Sequence, residues 1–292
     1  MPLQDEFERI VRLAEPLAAH TWFHLGGPAE YFAEPRDADE LAKLVTRCQQ
    51  EELPVRLLGG GSNVLVRDEG VPGVVVRLPE AGFAQVEIRG RRVIAGGAAK
   101  LGHVISTTVR EGLAGLETLV GIPGTIGGAL HGNAGSRGGD IGQWTEQATV
   151  MARSGEVSQR QRDELVFAYR QSSLDDLVIL AAEFELEPDD PEQLTKRMQQ
   201  QWIVKKSAQP LGHQSAGCIF KNPRGMSAGL LIDQAGLKGT RIGGAEVSDR
   251  HANFIVAEAG ATAQDVLRLI ELVRSRVADR LGVELEMEIE VW

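Results

Sequence analysis

Apolar residues recur along this chain at two spacings, and the mixture predicts both helices and strands. Leu41, Leu44, Val45 and Cys48 follow the i, i+3, i+4, i+7 pattern of a helix that begins at Asp37, takes Glu40 as capping-box partner and stops before Pro54. Cys48 on that stripe reads as a core residue. Further helices are predicted over 3–14, ending near Pro16, and over 100–111, ending at Gly112. Another follows Pro191, with Leu194, Met198 and Trp202 on one face. The last opens on Thr262 with Asp265 near its third position, carries Val266, Leu269, Ile270, Val273, Val277 and Leu281, and ends at Gly282.

Short apolar runs and alternations predict strands over 55–58, 64–66, 74–78 and 178–186. Hairpins are expected over 85–95, turning at Gly90, and between 147–152 and 156–159 through Ser154-Gly155. At the C-terminus Val283, Leu285, Met287, Ile289 and Val291 alternate with Glu284, Glu286, Glu288 and Glu290, the period of a half-buried strand. Recurrent hairpins mixed with helices imply an α+β fold. A length of 292 residues suits two or three domains, and the acidic, proline-bracketed 187–191 is the candidate boundary.

Composition narrows the class. With 42% hydrophobic and 25% charged residues the chain is an ordinary globular one. It has no apolar run long enough for a membrane span and no basic-then-apolar leader, so a cytoplasmic protein is expected. Two cysteines are too few for a disulfide framework or a zinc site. The net charge of −10 opposes nucleic-acid binding, so an anionic ligand must be met locally. Glycine is the anomaly: 34 residues, nine of them between Gly121 and Gly142. Such density marks tight turns or backbone brought close to a ligand.

Two loops carry that signal, Gly59-Gly60-Gly61-Ser62-Asn63 and Gly121-Ile122-Pro123-Gly124-Thr125-Ile126-Gly127-Gly128. Each is either a tight turn and nothing more or a nest of N–H groups suited to phosphate, with Ser62, Asn63 and Thr125 adding side-chain donors. Neither has the strand-to-helix entry of a Rossmann fingerprint or the lysine of a P-loop. Together they suggest a pyrophosphate-containing cofactor held by backbone. Arg170, beside Phe167 and Tyr169, is either a solvated arginine or a planar fork for a carboxylate. Cys218 reads equally as an inert buried thiol and, near Lys221, as an acid or nucleophile. Four glutamates line one face of the last strand, and nothing local singles out Glu288. His251 lacks companions at ligand spacing and reads as structural, so no metal is expected.

In order along the chain, these segments resemble the UDP-N-acetylenolpyruvoylglucosamine reductase family. The signposts are Thr21, Leu25-Gly-Gly-Pro-Ala29, Leu58-Gly-Gly-Gly-Ser-Asn-Val-Leu65, Gly115-Leu-Glu117, Gly121–Gly128 and Asn133-Ala-Gly135. They continue with Tyr169-Arg170, Ala216-Gly-Cys-Ile-Phe-Lys-Asn-Pro223, Leu230-Leu-Ile-Asp233, Gly236-Leu-Lys-Gly239, His251-Ala-Asn-Phe-Ile255 and Leu285-Glu-Met-Glu-Ile289. Each is weak alone; in order over roughly 18–292 they are specific. With tyrosine only at 31 and 169, the chain resembles the shorter class, which lacks an inserted segment bearing a substrate-covering tyrosine.

The resemblance implies a vanillyl-alcohol-oxidase-like (PCMH-type) FAD-binding fold. An N-terminal helix over 1–17 would precede FAD-binding subdomains over 18–80 and 81–187, and a connecting helix over 188–204 would lead to an α+β substrate-binding domain over 205–292. It implies NADPH-driven, FAD-dependent reduction of an enolpyruvyl nucleotide sugar to UDP-N-acetylmuramate, a peptidoglycan precursor, by a monomer. FAD would lie on Gly59, Gly60, Gly61, Ser62, Asn63, Leu65, Gly121, Ile122, Pro123, Gly124, Thr125, Gly127, Gly128 and Asn133. The catalytic positions fall on Arg170, Cys218 and Glu288, and Lys205, Lys206, Lys221, Asn222 and Arg241 are candidates for the substrate's diphosphate and carboxylate. Two positions depart from the common pattern: Cys218 stands where many relatives have a proton-donating serine, and Arg137 where an aromatic residue is usual. The alternatives are an oxidase of the same fold acting on another alcohol or sugar, and a non-catalytic nucleotide-sugar binding protein.

Overall fold

Helix 38–50 forms because its start is fixed locally. The Asp37 carboxylate accepts the Glu40 N–H at 2.8 Å, and Leu41, Leu44, Val45 and Cys48 are all buried on one face. The capping box is only half formed: the Glu40 carboxylate accepts from the N–H of Arg36, at 2.7 Å, instead of that of Asp37. The computed structural model from which these distances come describes residues 3–136 and 138–292, so Arg137 lies outside the described residues. Its chain divides into two compact units, one made of residues up to Ala14, Glu30–Gly60 and Pro72–Val204, the other of Glu15–Ala29, Gly61–Val71 and Lys205–Trp292.

The first unit contains a five-stranded antiparallel sheet in the order Val157–Gln161, Thr145–Met151, Val178–Glu185, Arg92–Gly96, Val86–Arg89. Both predicted hairpins lie in it. Its core gathers Val93, Ala148, Val150, Ile179 and Phe184 with Leu101, Val104 and Ile105 of helix Leu101–Arg110 and Ile126 and Leu130 of helix Ile126–His131. A second core surrounds helix 38–50 and strands Val55–Leu58 and Val71–Arg77, which pair in parallel. Along helix Pro191–Ala208 the expected apolar face fades: Leu194 is buried, Met198 half-buried and Trp202 exposed.

The expected N-terminal helix is confined to Leu3–Glu6, and Val11–Pro16 is instead the outer strand of a four-stranded sheet. The helical stripe over 3–14 is not buried as a stripe, since Ile10 and Val11 are buried while Leu13 is 53% exposed. A sheet edge satisfies this backbone over several residues, whereas a short isolated helix is marginal.

The second unit builds its core from Ala228–Gln234, the three-stranded antiparallel sheet Arg241–Ile242, Ala245–Val247, Ile255–Ala257, and helix Ala263–Leu281. Thr262 is the N-cap, as predicted, and forms a capping box with Asp265. Asp68, 195 positions away in the chain, also accepts the N–H of Ala263 at 2.9 Å and, through its other oxygen, that of Gln264 at 3.0 Å. A carboxylate so placed satisfies orphan donors and complements the helix dipole. The expected continuous C-terminal strand is broken in two. Residues 286–288 pair with 219–221, then Glu290–Val291 pairs in parallel with Val64–Leu65. Leu285 and Ile289 are buried as the alternation requires, but Met287 is 37% exposed because the segment changes partner around it.

Candidate active site

Within the first unit the two glycine loops touch. A Cβ on Gly60 would lie 2.8 Å from the Cα of Gly124, and one on Gly59 would lie 3.0 Å from Oγ1 of Thr125. Only residues without side chains allow this approach. Thr125 caps helix Ile126–His131 by accepting the N–H of Gly128, while the N–H groups of Ile126 and Gly127 bond to Ala99 and Gly97. Those donors are therefore committed to the fold. Among the described residues, the N–H groups of Gly59, Gly60, Gly121 and Gly124 have no acceptor within the protein. They form the part of the loops available to an anion, and the abutting glycines form a cradle that any Cβ would fill, which fits a pyrophosphate.

Arg170 closes a two-residue turn between Phe167–Ala168 and Gln171–Ser172. Its backbone is left-handed, φ +58°, a conformation costing a residue with a Cβ about 1–2 kcal/mol. The guanidinium lies 5.5 Å over the Tyr169 ring and donates through Nη1 to the carbonyl of Gly135 at 3.1 Å. Asn133, expected at the cofactor, is buried, and both arms of its amide are engaged inside the protein: Nδ2 donates to the Ala168 carbonyl at 2.8 Å, and Oδ1 accepts from the Gly142 N–H at 3.1 Å.

The second unit brings Cys218 and Glu288 onto neighbouring segments. Cys218 bridges to Phe254 on one side. On the other, the Glu288 N–H donates to the carbonyl of Ile219 at 2.8 Å, and the Lys221 N–H donates to that of Glu286 at 2.8 Å. Asn63, from the first glycine loop, donates through Nδ2 to the carbonyl of Glu288 at 3.1 Å. Glu284, Glu286 and Glu290 are exposed and Glu288 alone of the four is half-buried, a distinction the alternating pattern did not carry. Asn253, buried, pins the segment after Cys218. Its Oδ1 accepts the Phe220 N–H at 3.0 Å and its Nδ2 donates to the Phe220 carbonyl at 2.8 Å.

The cationic candidates are less alike than the sequence suggests. Lys221 pairs with Glu286 at 2.6 Å, and Arg241 pairs with Glu246 and, at 3.1 Å, Glu258. Asn222 caps Ala228 through Oδ1 at 2.9 Å. Lys205 and Lys206 stand in the last turn of helix Pro191–Ala208. His251 serves its own turn: Nδ1 accepts the Asn253 N–H and the ring packs edge-on against Phe254. Burial, with a smaller effect from the nearby Lys238 ammonium, holds its imidazole below the ordinary histidine range.

Two family models match the chain. The family described as UDP-N-acetylenolpyruvoylglucosamine reductase, C-terminal domain, matches residues 209–292, and the FAD binding domain family matches 29–159. The chain is 45% identical over 284 residues to UDP-N-acetylenolpyruvoylglucosamine reductase 2 of Symbiobacterium thermophilum, covering 97% of this chain and 92% of the relative. To the reductase of Listeria innocua it is 41% identical, covering 99% of this chain and 97% of the relative. The crystal structure of UDP-N-acetylenolpyruvylglucosamine reductase from Thermus caldophilus superposes with a TM-score of 0.84 at 39% identity, covering 97% of this chain and 99% of that one. Phl p 4.0202, a glucose dehydrogenase, shares the fold alone, with a TM-score of 0.50 at 14% identity over 65% of this chain and 44% of that one. Among the described residues no helix is long and apolar enough to cross a membrane.

Proposed function

Because the chain belongs to the UDP-N-acetylenolpyruvoylglucosamine reductase family, we infer that it catalyses the FAD-dependent, NADPH-driven reduction of UDP-N-acetylenolpyruvoylglucosamine to UDP-N-acetylmuramate, in peptidoglycan precursor synthesis. The near full-length identity to named reductases carries this conclusion. The named relatives support this reading over the oxidase alternative.

FAD, when bound, supplies the hydride transfer between nicotinamide and substrate. We assign its binding in the first unit to Gly59, Gly60, Gly121, Ile122, Pro123, Gly124, Thr125, Gly127 and Gly128, and give the same assignment to Gly61, Ser62, Asn63 and Leu65 in the second. Support comes from the open N–H groups and the missing side chains of the abutting loops. Gly60→Ala tests it: the new Cβ forces the loops apart. Losing one hydrogen bond to a charged oxygen is worth about 1.5–3 kcal/mol, so FAD affinity is expected to fall roughly ten- to hundredfold in an absorbance titration. Unchanged affinity would remove these loops from the cofactor site.

The substrate double bond is conjugated to a carboxylate, so its reduction builds negative charge on that carboxylate. Arg170 meets that charge with a planar two-donor fork. Glu288 is assigned to stabilise the same charge, a role it can fill only as the protonated acid. Cys218 delivers the proton to C2. Lys205, Lys206, Lys221, Asn222 and Arg241 meet the diphosphate and the carboxylate, Lys221 and Arg241 by exchanging a glutamate for the ligand. Residues 18–80 and 81–187 are assigned to FAD and 205–292 to the substrate. The protein is placed in the cytoplasm as a monomer serving cell-wall growth, shape and division, and its net charge of −10 weighs against a nucleic-acid partner.

The test is an anaerobic visible titration of the purified protein. NADPH is expected to bleach the flavin bands, and the enolpyruvyl nucleotide to restore them. A flavin that NADPH leaves oxidised would instead support the oxidase.

A further inference from the structure

We propose that Asn133 is a positioning residue for Arg170, acting through the backbone of the turn on which that arginine sits; the inference rests on the assignment of Arg170 to the substrate's developing charge. Arg170 is held in a left-handed conformation, φ +58°, that a residue with a Cβ does not choose unaided, so the surroundings must impose it. The two-residue turn requires it, and Asn133 holds the arm of that turn before Arg170. It is 2% exposed, itself left-handed at φ +41°, and its Nδ2 donates to the carbonyl of Ala168, two residues before Arg170, at 2.8 Å. Its other arm accepts from the N–H of Gly142 at 3.1 Å, and its own N–H bonds to the carbonyl of Leu130 at 3.1 Å. The asparagine is therefore fixed at three points.

Gly142 completes the clamp, because a Cβ there would lie 2.3 Å from the Phe167 ring at the start of the same turn. The arginine head is gripped from the same stretch of chain, Nη1 donating to Gly135, two residues after Asn133. The far arm of the turn is anchored separately by Ser172 Oγ, which donates to the His131 carbonyl at 2.9 Å. Loss of the asparagine amide thus leaves the turn attached and frees only the arm that aims Arg170. Each arm of the amide thus makes a bond to the backbone of another segment.

The experiment is a double-mutant cycle on the FAD-loaded enzyme. Asn133→Gly keeps the left-handed backbone and deletes the amide. Turnover with the enolpyruvyl nucleotide is expected to fall about ten- to a hundredfold, the effect of a catalytic group misplaced by about 1 Å. FAD occupancy by absorbance and the rate of flavin bleaching by NADPH are expected to stay at parental values, while the melting temperature falls because the buried Gly142 N–H loses its acceptor. Adding Asn133→Gly to Arg170→Ala is expected to change turnover by less than about twofold, since the residue to be positioned is already gone. Asn133→Asp, which keeps an acceptor for Gly142 and lacks the donor to Ala168, should reproduce the pattern if glycine loosens the fold. Losses that multiply in the double variant, or loss of FAD from the single ones, would overturn the proposal. Full turnover by Arg170→Ala alone would instead overturn the site assignment, and the cycle reads that result separately.

Discussion

Arg170→Ala is expected to lower turnover by about 10²–10³, the effect of removing one preorganised donor aimed at developing charge, about 2.7–4 kcal/mol, while FAD stays bound. Because the charge grows only as the double bond is reduced, kcat and kcat/KM should fall together. Arg170→Gly should lose as much turnover, yet it removes the Cβ that makes φ +58° unfavourable. Relief of about 1–2 kcal/mol, less about 0.5–1 kcal/mol for the extra freedom of glycine in the unfolded chain, should leave the glycine variant up to about 1.5 kcal/mol more stable than the alanine one. A site residue whose removal both inactivates and relaxes the protein is one held in place for function. If either variant keeps full turnover, Arg170 has no part in the chemistry.

The partial burial that separates Glu288 from its neighbours also marks the limit of what the sequence carries. Helices 38–50 and 263–281 were legible because both their period and their caps are local, Asp37 to Glu40 and Thr262 to Asp265, and helix 101–110 by its period alone. Strand 11–16 was not, since its hydrogen bonds are made to a sheet and not within the segment. Glu288 looked like three other glutamates because what surrounds a side chain comes from segments distant in the chain, such as that of Ile219, whose carbonyl takes the Glu288 N–H. Asn133, Asn253 and Asp68 hold backbone 35, 33 and 195 positions away. An asparagine in a glycine-rich or apolar stretch was the only local hint, and it does not say which backbone is held. What family resemblance contributed was the identity of the residues; what the structure contributed is which of them are clamped, and by what.

Cys218→Ala is expected to cost about 10²–10⁴ in turnover, the range for a positioned proton donor, while Cys218→Ser should remain active. Neither change should move the backbone, which is held by the bridge to Phe254, the Ile219 N–H on the Asn253 carbonyl at 2.8 Å and the two bonds from the Asn253 amide to Phe220. The serine and parent enzymes differ in one readout: a thiol can be alkylated, so iodoacetamide should inactivate the parent and spare the serine variant. The label reports one position cleanly, since Cys48 is fully buried and burial pushes its thiol up to about 11. Full activity in the alanine variant would mean that the proton reaches C2 from another group, and it would leave Cys218 as packing beside Phe254.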